Sequence, residues 1–203
     1  MTSEAITHLF FDVGGVLGSN GWDHAQRALA MARFDLDPEF ELRHRDVVAA
    51  WECGSLGWDA YLETTVFNAP RAFSRGEFKS FALAQSTPHP ETIAVARRLA
   101  DLGRVRLFTL NNEAAEFNLH RIDRFGLRPI FAGFLSSCWL GVRKPSRTIY
   151  ERALAIAQAD PARSLFIDDR EENLVPAREL GMRALLHTSA RQLESSLRAD
   201  GLL

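Results

Sequence analysis

The chain has few of the features that mark secreted, membrane or nucleic-acid-binding proteins. Its 203 residues include only two cysteines, Cys53 and Cys138, without a CxxC spacing, so neither a disulfide framework nor a zinc site is indicated. No stretch approaches the roughly 20 consecutive apolar residues of a membrane-spanning helix, and residues 1–8 lack the basic segment of a signal peptide. A formal net charge of -2 gives no general attraction to nucleic acid or to anionic lipid. These absences predict a cytoplasmic protein whose partner is a small molecule, with no nucleic acid and no membrane involved.

Short apolar runs and helical patterns alternate along most of the chain. The apolar runs predict strands at 8–13, 105–110, 132–136, 165–167 and 184–186. Helical patterns predict helices at 91–102, 113–124, 145–158, 172–180 and 190–198. Such an alternation is typical of an α/β protein, and it predicts a Rossmann-like parallel sheet with helices on both faces.

A helical region interrupts this alternation just after the first strand. Between Leu17 and Pro88 the pattern contains four helical stretches, separated by turns that carry proline or glycine. We therefore predict an α/β core domain made of residues 1–17 and 88–203 and a small helical cap domain made of residues 18–87. Because the cap leaves the core beside the end of the first strand, we expect it to cover that edge of the sheet.

Polar residues with chemical potential stand at the predicted strand ends and helix starts. Asp12 ends the first strand, Thr109 ends the second, Lys144 precedes a helix, and Asp168 and Asp169 end the fourth strand. Each has an ordinary explanation alone: a turn cap, a helix cap, a surface charge or an acidic helix start. In open α/β sheets, however, ligands bind beyond the carboxyl ends of the strands, where these residues would meet. Two adjacent carboxylates repel each other, and a cation such as Mg²⁺ would offset that cost.

In the order Asp, Thr, Lys, Asp-Asp, these residues resemble the four signature motifs of the haloacid dehalogenase (HAD) superfamily. FFDVGGVL is similar to the first motif and LFTLNN to the second, while GVRKPSRTIY is similar to the third. FIDDREENLVPARELG is similar to the fourth. The resemblance spans nearly the whole chain apart from the helical insert, where this superfamily carries a cap. Phosphate-accepting receiver domains use a similar set of residues but place the acidic pair first, so the order counts against them.

The resemblance implies a HAD-like core and a magnesium-dependent phosphatase acting on a small phosphorylated metabolite, with sugar phosphates among the candidates. Asp12 would be the nucleophile, assisted by Lys144 and Thr109. The implied magnesium site consists of Asp12, the backbone carbonyl of Gly14, and Asp169, with Asp168 behind them. The implied substrate-binding residues are Thr109, Leu110, Asn111, Asn112 and Lys144. The chain is expected to work as a monomer or a homodimer.

Two positions depart from the pattern of the superfamily. Gly14 stands where most phosphatases of this kind carry a second aspartate, which acts as general acid and base and is typically worth ~10²–10⁴-fold in rate. Asp23 or Glu52 would be a substitute; otherwise the protein favours good leaving groups, or binds phosphate compounds and turns them over poorly. Leu110 stands where many relatives have asparagine, which leaves only its backbone amide to bind phosphate.

Two further questions stay open at the level of sequence. A third hypothesis, in which Asp12 attacks the carbon of a 2-haloacid, needs no metal, so the Asp168-Asp169 pair counts against it. The residues that select the substrate are also open. The candidates in the cap are Trp22, Trp51, Cys53-Gly54-Ser55 and Trp58, although an aromatic side chain in a helical bundle is more often part of the core.

Overall fold

The computed structural model describes residues 4–203 and contains one five-stranded parallel sheet. The strands are β1 (His8–Phe11), β2 (Arg106–Asn111), β3 (Gly133–Ser136), β4 (Ser164–Asp168) and β5 (Arg183–Leu186). Their order across the sheet is β3-β2-β1-β4-β5. The first strand therefore lies at the centre, and the chain reverses direction across the sheet on either side of it, which is where α/β sheets bind ligands.

Helices cover both faces of this sheet, as predicted. Their bounds are α1 (His24–Phe34), α2 (Phe40–Glu52), α3 (Trp58–Thr65), α4 (Arg75–Ala84), α5 (Pro90–Leu102), α6 (Ala115–Arg124), α7 (Ser137–Leu140), α8 (Arg147–Ala157), α9 (Glu171–Glu179) and α10 (Ala190–Ala199). Alternate residues of β1 show the two layers, because side chains point to opposite faces at successive strand positions. Leu9 packs in a core cluster with residues of α5 and α10. Phe10 packs in a second cluster with residues of α8 and α9.

The region between β1 and α5 forms a separate layer of four helices. Its buried side chains are largely aromatic, and Trp51 stacks on Tyr61 with ring centroids 3.8 Å apart. The same cluster also includes Phe117 of α6, so these helices rest directly on a helix that follows β2. The division into a core of residues 1–17 and 88–203 and a cap of residues 18–87 stays a prediction, and residues 1–3 lie outside the described residues.

Several element boundaries differ from the sequence prediction. Strand β1 ends at Phe11 rather than at Val13, because the chain after Asp12 turns into a tight loop closed by the Gly15 N–H and the Gly18 carbonyl, 2.8 Å apart. Helix α6 begins at Ala115 rather than at 113, and α8 begins at Arg147 rather than at 145. The short helix α7 was not predicted. None of the helices within residues 4–203 is long and apolar enough to cross a membrane.

Candidate active site

Asp12 lies immediately beyond the end of the central strand. Its backbone N–H donates to the carbonyl of Ile167 on β4 (2.8 Å), which continues the sheet for one more residue. Its Oδ1 accepts hydrogen bonds from the Val13 N–H (2.8 Å) and from Lys144 Nζ (2.9 Å). Among the described residues, Oδ2 has no such donor, which leaves one oxygen of this carboxylate available for chemistry. Burial raises the pKa of Asp12 to about 7, and the positive charge of Lys144 opposes this rise.

Lys144 joins two carboxylates at the floor of the site. Its Nζ lies 2.9 Å from Asp12 Oδ1 and 2.6 Å from Asp168 Oδ2, and its side chain is 2% exposed. Burial alone would lower the pKa of Lys144, but the two carboxylates outweigh burial and raise it. The Asn112 side chain fixes the backbone here, because its amide donates to the Lys144 carbonyl (2.9 Å) and its oxygen accepts from the Lys144 N–H (2.7 Å). The lysine therefore stays charged and is held in one position.

The Asp168 carboxylate is fully buried and fully used by protein donors. Besides Lys144, it accepts from Asn173 Nδ2 at 3.0 and 3.1 Å and from the Arg170 N–H at 2.9 Å. With both oxygens engaged, Asp168 orients Lys144 rather than presenting a free ligand atom.

Asp169 provides the open carboxylate of the pair. It contributes one oxygen to a cluster with Asp12 and Asp168 in which the three atoms lie within 4.8 Å of one another, and its Oδ1 is buried without a hydrogen-bond partner. Gly15 allows this approach, since its φ is +73° and a Cβ there would lie 2.1 Å from Asp169 Oδ2. Burial and the charge of Asp168 both raise the pKa of Asp169. An orphaned oxygen, clustered carboxylates and a glycine that makes room for them fit a hard cation such as Mg²⁺.

The second motif is placed differently from the sequence prediction. Thr109 does not end β2, because Leu110 and Asn111 continue it in register with Leu135 and Ser136 of β3. The Thr109 hydroxyl is buried and has no partner, and Thr109 pairs with Phe11, the residue before Asp12. The Leu110 side chain belongs to the core, and the Asn111 amide donates to Asn118 Oδ1 (3.2 Å). Of this motif, Asn112 lines the cavity described next.

A cavity of about 350 Å³ lies between the sheet edge and the helices α1 and α2. Asp12, Gly14, Asn112 and Lys144 form part of its floor. On the opposite side it is lined by Trp22, His44, Val48, Trp51 and Glu52. Trp22 and Trp51 are thus placed to meet a substrate, whereas Trp58 and the Cys53-Gly54-Ser55 segment do not line the cavity.

The Cys53-Gly54-Ser55 segment instead contacts the core. Gly54 has φ +73°, and a Cβ there would lie 2.1 Å from the carbonyl oxygen of Cys138. The Ser137 hydroxyl donates to the carbonyl of Glu52 at 2.6 Å. This glycine therefore serves close packing of the helical layer on α7.

The space beside Gly14 is occupied by other residues. Its φ does not lie in the left-handed region, but a Cβ at Gly14 would lie 2.8 Å from Asn20 Oδ1 and 3.7 Å from Arg121 NH1. Arg121 is 1% exposed and forms an ion pair with Glu113 at 2.8 Å. Burial raises the pKa of Glu113 to about 7, and the Arg121 charge opposes this rise. An amide and an ion pair thus surround the position where most phosphatases of this kind carry the second aspartate.

The two predicted substitutes for that aspartate both line the cavity. Asp23 caps α1 by accepting from the His24 N–H (2.8 Å), and it lies 3.7 Å from Arg170 NH2. Glu52 is an ion-pair partner of Arg143 at 3.1 Å, and burial raises its pKa.

The pair formed by Arg121 and Glu113 was not predicted from the sequence. One signal was present: Arg121 follows Phe117 and Asn118 at helical spacings of four and three, which places it on the buried face of α6. A charged residue on such a face requires a partner. The identity of that partner depends on the fold.

The comparisons with known proteins agree on the superfamily. Residues 6–181 match the family model for haloacid dehalogenase-like hydrolases, so the chain belongs to this family. Bifunctional epoxide hydrolase 2 of Sus scrofa is 27% identical over 213 residues, covering 94% of this chain and 38% of that protein. The chain therefore spans well under half the length of this relative.

Solved structures share the fold at low sequence identity. The HAD family enzyme bt-2542 from Bacteroides thetaiotaomicron, in complex with magnesium and inorganic phosphate, is 18% identical with a TM-score of 0.77, covering 91% of this chain and 95% of that one. The L-2-haloacid dehalogenase of Xanthobacter autotrophicus, with chloropropionic acid covalently bound, is 16% identical with a TM-score of 0.61, covering 98% and 84%. These matches show that the chain has the HAD-like α/β fold.

Proposed function

We propose that this protein is a magnesium-dependent phosphatase that hydrolyses a small phosphorylated metabolite through an aspartyl-phosphate on Asp12. One observation carries the proposal: Asp12 and Asp169 bring carboxylate oxygens within 4.8 Å of each other, and Asp169 Oδ1 is buried without a hydrogen-bond partner. The similar enzyme bt-2542 has been solved with magnesium and phosphate, which agrees with this chemistry.

The residues around Asp12 would have different roles in the reaction. A free oxygen of the Asp12 carboxylate attacks phosphorus, the bond to the alcohol oxygen breaks as that oxygen takes a proton from solvent or through Asp23 or Glu52, and water then hydrolyses the acyl phosphate. Lys144 neutralises the charge that accumulates on the phosphoryl oxygens. Asn112, which lines the cavity, would hold another phosphoryl oxygen, with Asn111 behind it bound to Asn118. The predicted phosphate contacts of Thr109 and Leu110 do not fit, because both residues lie within β2 and do not line the cavity.

The metal site would use the carboxylates of Asp12 and Asp169 and the backbone carbonyl of Gly14. Asp168 would keep Lys144 in place behind them. When bound, Mg²⁺ supplies positive charge that lessens the repulsion between a carboxylate and a phosphate dianion. The buried and unpaired Oδ1 of Asp169 is the ligand atom with the strongest need for a cation.

Two other functions remain as competitors. Without a second aspartate at Gly14, the protein would bind phosphate compounds and turn them over poorly unless Asp23 or Glu52 moves the proton. A 2-haloacid dehalogenase, as in the similar Xanthobacter autotrophicus enzyme, would use Asp12 on carbon. That reaction has no use for the unpaired Asp169 carboxylate, which favours the phosphatase.

One screen separates these possibilities. Phosphate release from a panel of phosphorylated metabolites should require Mg²⁺ and should be lost in Asp169→Asn, whereas the control Asp101→Asn, at an exposed position of α5, should behave like wild type. Halide release from 2-haloacids without metal would support the dehalogenase instead. Tight binding without turnover would support the binding protein. A cytoplasmic location and a monomeric or homodimeric state stay predictions.

A further inference from the structure

A buried chain of hydrogen bonds in the helical layer ends at the cavity. Trp22 Nε1 lies 3.1 Å from the Tyr61 hydroxyl, and the same hydroxyl lies 2.8 Å from His44 Nδ1. Tyr61 is 0% exposed, while His44 lines the cavity that also contains Asp12. None of these three residues has a role in the phosphoryl transfer described above.

The donors and acceptors in this series of hydrogen bonds determine which ring nitrogen of His44 carries the proton. An indole N–H only donates, so the Tyr61 oxygen must accept from Trp22. The Thr65 hydroxyl donates to the Tyr61 carbonyl at 2.8 Å, and the closest acceptor for the single hydroxyl proton of Tyr61 is His44 Nδ1 at 2.8 Å, so we assign that proton to the bond with His44. Burial raises the pKa of Tyr61, which keeps its proton in place. His44 Nδ1 is therefore an acceptor, and the proton of the neutral ring is on Nε2.

The surroundings of His44 keep it neutral. Burial lowers its pKa to about 4, and the charge of Arg27 acts in the same direction, against the smaller effects of Glu41 and Asp23. Among the described residues, Nε2 has no protein hydrogen-bond partner. This atom is not fully buried, and it is accessible at the cavity wall. The cavity thus receives one neutral donor from the helical layer.

The arginines that line the cavity are already paired, and Glu172, a lining carboxylate without an ion-pair partner among the described residues, would repel an anion. Each lining arginine has a carboxylate: Arg27 with Glu41, Arg121 with Glu113, Arg143 with Glu52, and Arg170 with Asp23. A second anionic group on the substrate would have to break one of these pairs. An uncharged oxygen would break none.

We infer that His44 selects the substrate by donating its Nε2–H to an uncharged oxygen, a hydroxyl or ether oxygen, on the organic part of the phosphate ester. Tyr61 is the positioning residue that fixes the ring. The inference rests on the proposed phosphatase function and adds the chemical class of the substrate: a phosphate ester whose remainder is small, neutral and oxygenated.

The test compares two classes of substrate in wild type and in His44→Asn. The shorter amide of asparagine still reaches Tyr61, but it places no donor in the cavity. We expect kcat/KM for the best hexose or pentose monophosphate to fall about 3- to 10-fold more than kcat/KM for phenyl phosphate, the size of one lost neutral hydrogen bond. Among monodeoxy analogues of that sugar phosphate, one should lack the hydroxyl that His44 binds, and its kcat/KM in wild type should be lower by the same factor. In His44→Asn, kcat/KM for this analogue should be little lower than for the parent sugar phosphate. The matched control is His24→Asn, at an exposed histidine of the same layer.

The possible outcomes distinguish a failure of the role of His44 from a failure of the proposed phosphatase function. Equal losses for phenyl and sugar phosphates, or no loss for either, would overturn the assignment of His44 while leaving the phosphatase intact. No hydrolysis of any of these esters by wild type would overturn the proposed function, and the inference with it. Nitrogen NMR of histidine-labelled wild type gives a readout without turnover. A proton on Nε2 at neutral pH is expected, and this signal should change in Tyr61→Phe, whereas a proton on Nδ1 would overturn the inference even if His44→Asn failed to fold.

Discussion

The missing acid/base group beside Asp12 leads to the most informative substitution. Gly14→Asp would restore a carboxylate two residues after the nucleophile. Gly14 is not in the left-handed region, so backbone strain does not oppose the change. The obstacle is Asn20, whose Oδ1 would lie 2.8 Å from the new Cβ, closer than real contacts allow. Since that atom ends a flexible side chain, Asn20→Ala in the same protein removes the obstacle.

The size of the effect follows from the chemistry of the added group. General acid catalysis is typically worth ~10²–10⁴-fold. Arg121 NH1 would lie 3.7 Å from the new Cβ, and a guanidinium so close keeps a carboxylate ionised and weakens it as an acid. We therefore expect the double variant Gly14→Asp/Asn20→Ala to gain about 100-fold in kcat on an alkyl phosphate, at the low end of that range. The single variant should gain less.

The assay compares two leaving groups. An alkyl alcohol needs a proton as it departs, whereas p-nitrophenolate does not, so the gain on the alkyl ester should exceed the gain on p-nitrophenyl phosphate. Asn20→Ala alone is the control, and melting temperatures establish that all variants are folded. Equal gains on both esters would mean that the new group only activates water. A loss of activity in a folded double variant would refute the reasoning and direct attention to Asp23 and Glu52.

Three further predictions follow from the site and its surroundings. Asp12→Asn should abolish turnover while circular dichroism stays unchanged; near-wild-type turnover, in protein checked for deamidation, would rule out the covalent mechanism. Asp169→Ala should weaken Mg²⁺ binding with little loss of stability. Asp168→Ala should affect Mg²⁺ affinity less but destabilise the fold by roughly 3–5 kcal/mol, because it removes a partner from a buried ion pair. Metal titration and denaturant unfolding separate the two variants, and equal Mg²⁺ affinity in Asp169→Ala and wild type would contradict the metal site. The pKa of His44 is about 4 in the folded protein and 6.5 ordinarily, so the unfolded chain binds more protons between these pH values. The free energy of unfolding of wild type relative to His44→Asn should therefore fall by up to about 3 kcal/mol as pH drops from 6.5 to 4. A difference that does not change with pH would contradict a buried neutral ring beside Arg27.

The fold was predictable because its signals are local. Apolar runs such as 165–167 alternate with amphipathic helices, and parallel strands gather their carboxyl ends at one edge. Asp12 and Asp168 consequently meet although they lie 156 positions apart in the sequence. The end of β2 was less predictable, because Leu110 and Asn111 extend that strand through pairing with β3, which no local pattern shows.

The parts of the site that escaped prediction depend on contacts between distant helices. His44 has an ordinary helical setting on α2, and its fixed tautomer arises from Tyr61, 17 residues away on α3. The obstacle formed by Asn20 beside Gly14 depends on how the chain enters α1. Spacing along the sequence carries no information on such packing, so these residues become candidates when the cavity is seen.

The most direct test of the central claim is to trap the covalent intermediate. Wild-type protein mixed with p-nitrophenyl phosphate and Mg²⁺ is quenched in acid, and its peptides are mapped by mass spectrometry. The account predicts phosphate on the peptide that contains Asp12, present with Mg²⁺ and absent after chelation. Phosphate release with no phosphate on Asp12, or an unchanged rate in Asp12→Asn, would contradict it.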